Sequence, residues 1–209
     1  MLYFPLTPPR ADTNRFDEKL ADEIEGLLRA VRGHALVLFT SYAQLTAAKK
    51  ALEKRKLPWH LYATNGNAAY IVNQFRKDPG SILLGTGPLW EGVDFPGDCV
   101  SLLIIPHLPF PYPDAVSEYE RKKYGALHAY IEAVALPEMQ IKLRQGFGRA
   151  IRTETDTCVV AILDERAVPG GRYYHDVVTI LPKMRKTRSV LDIERFIRNV
   201  KPDSYFLEP

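Results

Sequence analysis

An α/β fold, a parallel β-sheet wrapped by helices, is predicted for this 209-residue chain by three features. Short continuous apolar runs alternate with stretches of helical apolar spacing, turn residues separate them, and the composition can bury one large core. Hydrophobic residues make up 46% and charged residues 25% of the chain, the balance of an ordinary globular domain. A net charge of +3 names no partner by itself. No apolar run approaches the roughly 18 residues that span a bilayer, and no charged-then-apolar leader opens the sequence. We therefore expect a cytoplasmic protein with no membrane partner. Cys99 and Cys158 are too few for a disulfide framework or a four-ligand metal site and are expected to be buried, reduced thiols.

Residues 1–15 are predicted to form an extended arm, because Pro5, Pro8 and Pro9 oppose a helix. Residues 16–209 form the domain. Phe16, Leu20, Ile24, Leu27, Leu28 and Val31 recur at helical intervals, with Asp12, Thr13 or Asn14 to cap and Gly33 to stop the run. Ala35–Phe39 is a continuous apolar run, as in a strand covered on both faces. Tyr42–Lys56 reads as helix, Trp59–Ala63 as strand, Asn67–Lys77 as helix, and Ser81–Thr86 and Val100–Ile105 as strands. Thr157–Leu163 is one more strand and Val190–Val200 closes as a helix. Between them lies a strandless stretch with helical runs at Ala115–Lys123 and Leu127–Val134. It is predicted to be a helical insertion at about residues 106–144, overhanging the C-terminal edge of the sheet, where open α/β sheets bind ligands.

The chemistry concentrates in two segments. Gly85-Thr86-Gly87-Pro88-Leu89-Trp90-Glu91-Gly92-Val93-Asp94-Phe95-Pro96-Gly97 follows a buried strand. It is either a turn-rich connection or a loop whose bare backbone approaches a ligand, with Glu91 and Asp94 as acceptors. Gln145-Gly146-Phe147-Gly148-Arg149-Ala150-Ile151-Arg152 places Gln145, Arg149 and Arg152 at helical offsets. Donors sharing one face beside glycines suit a polyphosphate, the alternative being a solvated cationic face. A phosphate-cradling loop is missing, since no Gly-Lys pair occurs in the sequence. There is also no G-x-S-x-G elbow and no H-E-x-x-H. The five histidines have no ligand spacing. Asp164-Glu165 follows an apolar strand and is expected to be a solvated acidic pair capping the next turn.

These two segments, in this order, resemble motifs V and VI of the superfamily-2 helicases, most closely those of the DinG/XPD-like branch. Trp90–Gly97 resembles that branch's motif V and Gln145–Arg152 its motif VI. Leu36–Ser41 with Tyr42 is similar to motif IV, Leu108-Pro109-Phe110-Pro111 to the turn opening the branch's insertion, and Thr157–Arg166 to the strand ending in Asp-x-Arg. Leu2-Tyr3 and the proline-rich arm resemble the stretch after the first motor lobe. Pro88-Leu89 departs from the Ser-Phe usual there.

The resemblance implies a RecA-like, P-loop NTPase-like second lobe, with the insertion between the motif V and VI regions. ATP would lie between this lobe and an N-terminal helicase lobe that carries the lysine loop and the Mg²⁺-binding acids, so this chain has no metal site and is expected to be inactive alone. Arg149 and Arg152 would be arginine fingers, with Gln145 placing them or touching nucleotide. Gly92 and Asp94 would meet the ribose or couple motif VI to DNA, and Trp90 and Glu91 would act as coupling relays.

Single-stranded DNA would cross the top of the sheet, meeting Thr40, Ser41, Asn65, Gly66 and Thr86, which offer hydroxyls and helix N-terminal N–H groups. Aromatics of the insertion (Phe110, Tyr112, Tyr119, Tyr124, Tyr130) either stack bases or fill core. Lys183, Arg185, Lys186, Arg188, Arg195, Arg198 and Lys201 outweigh Asp192 and Glu194 and favour a nucleic-acid face modestly. The alternatives are a non-catalytic nucleic-acid-binding or partner-docking module and, more remotely, a phosphotransferase using Asp164-Glu165 to hold metal.

Overall fold

The structure, a computed structural model, describes residues 1–10, 16–64, 66–93, 95, 99–112, 114–151 and 157–207. Its strands are β1 (Leu2–Tyr3), β2 (Ala35–Leu38), β3 (Leu61–Ala63), β4 (Ile82–Gly85), β5 (Leu102–Ile105), β6 (Val159–Ile162) and β7 (Lys186–Thr187). Among the described residues they form one parallel sheet in the order β3-β4-β2-β5-β6-β1-β7. The strands β2, β4, β5 and β6 are buried at every position, as expected where helices cover both faces.

Successive strand residues face opposite layers. Ala35 and Val37 pack under α1 (Phe16–Val31), α2 (Tyr42–Glu53) and α8 (Val190–Val200). Leu36 and Leu38 pack under α3 (Ala68–Arg76), α6 (Leu136–Phe147) and α7 (Tyr174–Ile180). The predicted apolar stripe of α1 is the one it buries: Leu20, Ile24, Leu27, Leu28 and Val31, each worth about 1.5–3 kcal/mol on burial. Gly33 ends that helix at φ +76°, its N–H donating to Leu28 O at 2.9 Å.

Three elements were not expected. β1 runs inside the sheet, with Leu2 opposite both Val160 and Lys186, so the first residues of the expected arm are buried between two strands. The expected last strand, β6, therefore has β1 and β7 beyond it. The third is α7, a short helix after β6.

The insertion is helical. α4 (Ala115–Lys123) starts in a reciprocal cap between Asp114 and Ser117. α5 (Leu127–Tyr130) passes through a widened π turn, Ile131–Ala135, directly into α6. Pro137 lies in the first turn of α6, where its missing N–H and its ring cannot fit a regular turn behind it. Helix α6 therefore runs from the end of the expected insertion into the start of the motif VI segment, Gln145–Phe147.

Candidate functional site

Because the sheet is parallel, the ends of β3, β4, β2, β5 and β6 open on one edge, and both glycine-rich segments gather there. At Gly85 a Cβ would stand 2.0 Å from Leu89 Cδ1, so the chain can fold back over the strand end only without a side chain. Pro88 is the second residue of the tight turn Gly87–Trp90, which gives the departure from Ser-Phe a local use: its fixed φ suits that position. Trp90 is fully buried and donates from Nε1 to Phe39 O at 2.9 Å, just past β2. Its ring lies against Gly146 of α6, where a Cβ would meet Cε3 and Cζ3 at 2.7 Å. Trp90 thus ties the ends of β2 and β4 to the motif VI helix.

Gln145, Arg149 and Arg152 were expected on one helical face. The helix stops earlier: α6 ends at Phe147, with Gly148 as its cap, and Arg149 lies in the turn beyond. Gly146 and Gly148 propagate a helix poorly, and that local cost decides the end point. The guanidinium of Arg149 donates from Nε to Gln145 O at 3.1 Å and from Nη1 to Val93 O at 2.7 Å. The first bond satisfies a carbonyl left open at the helix terminus; the second reaches the motif V loop. A guanidinium has five N–H donors, so others remain for a ligand. Gln145 and Arg149 are half-buried and Gly92 is exposed at φ +78°. Asp94 and Arg152 lie outside the described residues.

Of the residues proposed for DNA, Thr40 donates to Gln44 Oε1 at 2.8 Å, and Ser41 caps α2 by accepting from Gln44 N at 3.3 Å. Gly66, at φ +108°, leads into Asn67, which caps α3 by accepting from Tyr70 N at 3.1 Å. Asn65 lies outside the described residues, and the capping role of Asn67 was not anticipated. Thr86 is buried and makes no side-chain cap bond to the turn it precedes. Beside these residues a hollow of about 390 Å³ separates α3 from the motif V loop, lined by Ala68, Asn73, Arg76, Pro88, Glu91 and Gly92. Glu91 is exposed on its rim. In the insertion Tyr112, Tyr119 and Tyr124 are exposed, Tyr130 is buried, and Phe110 packs against Tyr173 with centroids 4.9 Å apart.

Asp164 corrects an expectation. Rather than a solvated acid it is buried, accepting from Leu108 N (2.8 Å), Arg166 N (2.9 Å) and Arg166 Nε and Nη2 (2.9 and 2.7 Å). Burial pushes its carboxyl pKa up, but the Arg166 bonds, its charge and the two backbone N–H groups outweigh this and hold it below the usual value. Both oxygens are engaged, which removes the basis for a metal-holding Asp164. The residue instead pins the turn that opens the insertion onto the end of β6. Nearby His107 is held below the ordinary histidine value, by burial first and then by Arg166, against the opposing pull of Asp164. Cys158 is buried as expected, whereas Cys99 is only half-buried. Among the described residues no group of three or more His, Cys, Asp or Glu side chains could hold a metal ion. No helix of the described residues is long and apolar enough to cross a membrane.

Residues 24–184 match the family described as Helicase C-terminal domain. The chain belongs to that family. Within it, the resemblance is to the DinG/XPD-like branch of the superfamily-2 helicases. The helicase domain is 33% identical over 197 residues to the ATP-dependent helicase DinG of Mycobacterium tuberculosis (strain ATCC 25618 / H37Rv), covering 93% of this chain and 29% of that protein. It is also 33% identical over 199 residues to the ATP-dependent DNA helicase YoaA of Haemophilus influenzae, covering 94% and 30%. The chain thus spans less than a third of these relatives. Among solved structures, apo XPD superposes with a TM-score of 0.68 at 19% identity, over 89% of this chain and 39% of that one. Saccharomyces cerevisiae Dbp5 bound to RNA and ADP BeF3 does so with 0.59 at 14% identity, over 96% and 44%. The fold is RecA-like.

Proposed function

We propose that this helicase domain is the second motor lobe of an ATP-dependent DNA helicase. It supplies Arg149 and Arg152 to the phosphates of ATP and Mg²⁺ held on an N-terminal lobe outside this chain. Gln145 positions Arg149 through its main-chain carbonyl, and Gly92 and Asp94 approach the nucleotide from the motif V side. Trp90 and Glu91 carry changes at the nucleotide toward Thr40, Ser41, Asn65, Gly66 and Thr86, where single-stranded DNA lies across the sheet edge.

The observation that carries this reading is the bond from Arg149 Nη1 to Val93 O at 2.7 Å. It joins the only strong cation described in the motif VI turn to the loop that ends β4, as a residue must be joined if phosphate chemistry is to move a DNA-contacting edge. The lysine loop is absent from this sequence, so turnover belongs to the two lobes together. The test is ATP-dependent strand displacement by the longer protein that contains this segment and its first lobe. Displacement with single-strand-stimulated hydrolysis is expected. DNA binding with neither activity would leave a non-catalytic module in its place.

A further inference from the structure

The opposite, N-terminal edge of the sheet carries a second hollow, of about 450 Å³. It opens between the end of α1, the approach to β3 and α8, and includes Arg29, Arg32, Arg198, Glu194, Trp59 and Phe206 in its lining. The three guanidiniums come from separate parts of the chain. Arg29 is matched by Glu25 at 2.7 Å and Arg198 by Glu194 at 2.9 Å. Arg32 is exposed, and no pairing of its guanidinium is found among the described residues.

The backbone that presents Arg32 is strained. Arg32, Gly33 and His34 have φ of +60°, +76° and +44° in succession, a conformation that costs a residue with a side chain on the order of 1 kcal/mol. The surroundings hold the turn in place. His34 N donates to Gly80 O at 3.1 Å, the His34 ring stacks on Tyr205 at 4.2 Å, and Tyr205 OH donates to Val31 O at 2.7 Å. At Gly33 a Cβ would stand 1.8 Å from Gly80 O and 2.9 Å from Trp59 Cγ. The same turn therefore fixes the Trp59 ring and places Arg32 beside it. The cap that ends α1 thus also holds Arg32 at one place on the mouth of the hollow.

We propose that this hollow binds a phosphorylated nucleoside, its base against Trp59 and its phosphate on Arg32 with help from Arg29. A half-buried indole offers a stacking face, the exposed Arg32 guanidinium offers paired donors to phosphate, and the volume lies in the range of small-ligand sites. The ligand is either a free nucleotide or one unit of a nucleic-acid strand. In both cases the site is separate from the Arg149 edge and stands independently of the role proposed there.

The test is titration of the chain with ADP, with inorganic pyrophosphate and with a short oligothymidylate, read by calorimetry and tryptophan fluorescence. Trp90 is buried, so the ligand-sensitive signal should come from Trp59 and vanish in Trp59→Phe. Arg32→Gly removes the guanidinium while relieving the positive φ, so it should fold at least as stably and bind roughly tenfold more weakly. Arg149→Ala should leave this binding unchanged. Tighter binding of oligothymidylate than of ADP, with the same dependence on Arg32, assigns the site to a strand; the reverse assigns it to free nucleotide. No binding by the parent overturns the proposal. So does binding that survives Arg32→Gly but fails in Arg149→Ala, or pyrophosphate binding as tightly as ADP.

Discussion

Gly146 and Trp90 touch so closely that a single added carbon at residue 146 would stand 2.7 Å from the indole. The contact joins the motif VI helix to the motif V turn, and Trp90 in turn holds Phe39 O at the end of β2. Gly146→Ala must push α6 away from the sheet or tilt a ring that is buried on all sides. Overpacking of this kind costs about 1–3 kcal/mol. Urea unfolding should show that loss. In the two-lobed protein we propose, hydrolysis should become less sensitive to DNA, while Gly148→Ala, with its nearest contacts at 3.4 and 3.6 Å, should do much less.

Asp164 and Arg166 form the second joint. Asp164→Asn keeps the shape but removes the charge on which Arg166 closes. Breaking a buried pair from one side can cost about 3–5 kcal/mol. Arg166 is 43% exposed and can turn to water, so about 1–3 kcal/mol is expected here. The turn at Leu108 should loosen with it, read as faster amide exchange at Leu108 in the variant. Unchanged exchange there would mean that Asp164 does not anchor the insertion.

Acid should weaken the domain in two windows. The folded pKa of His107 is depressed, so its stabilising contribution is complete above its unfolded value of about 6.5 and is lost as pH falls below that. Asp164 is depressed too, so its contribution is complete above about 3.9 and is lost as pH falls further. Thermal melts between pH 8 and 3, taken as approximate limits of that range, should therefore fall in two steps. His107→Gln should remove the upper step and leave the lower one.

The sheet and its site were unequally legible in the sequence. The strands β2, β4, β5 and β6 are unbroken apolar runs because both faces are covered, and each was placed within a residue or two of its end. β1 and β7 span two residues each, too short for any periodicity, and exist only because β6 and each other supply partners. α7 buries Val177 alone among its helical residues, which leaves no stripe to read. The glycines of motifs V and VI were visible as unusual, but their reason, the collisions with Leu89 and Trp90, depends on residues that meet through the fold. Likewise the burial of Asp164 depends on Leu108, 56 residues away along the chain. The helical offset from Gln145 to Arg149 suggested a shared face, yet the side chain reaches the Gln145 carbonyl from a turn.

The most direct test of the account is the turnover number of the two-lobed protein with Arg149→Ala. Arginine fingers contribute about 10³–10⁵ in rate. Single-strand-stimulated ATP hydrolysis should therefore fall by at least about 10³ in kcat, with DNA affinity and thermal stability close to those of the parent. A variant that hydrolyses ATP at the parental rate, or that loses DNA binding along with turnover, would contradict the assignment of Arg149 to phosphate.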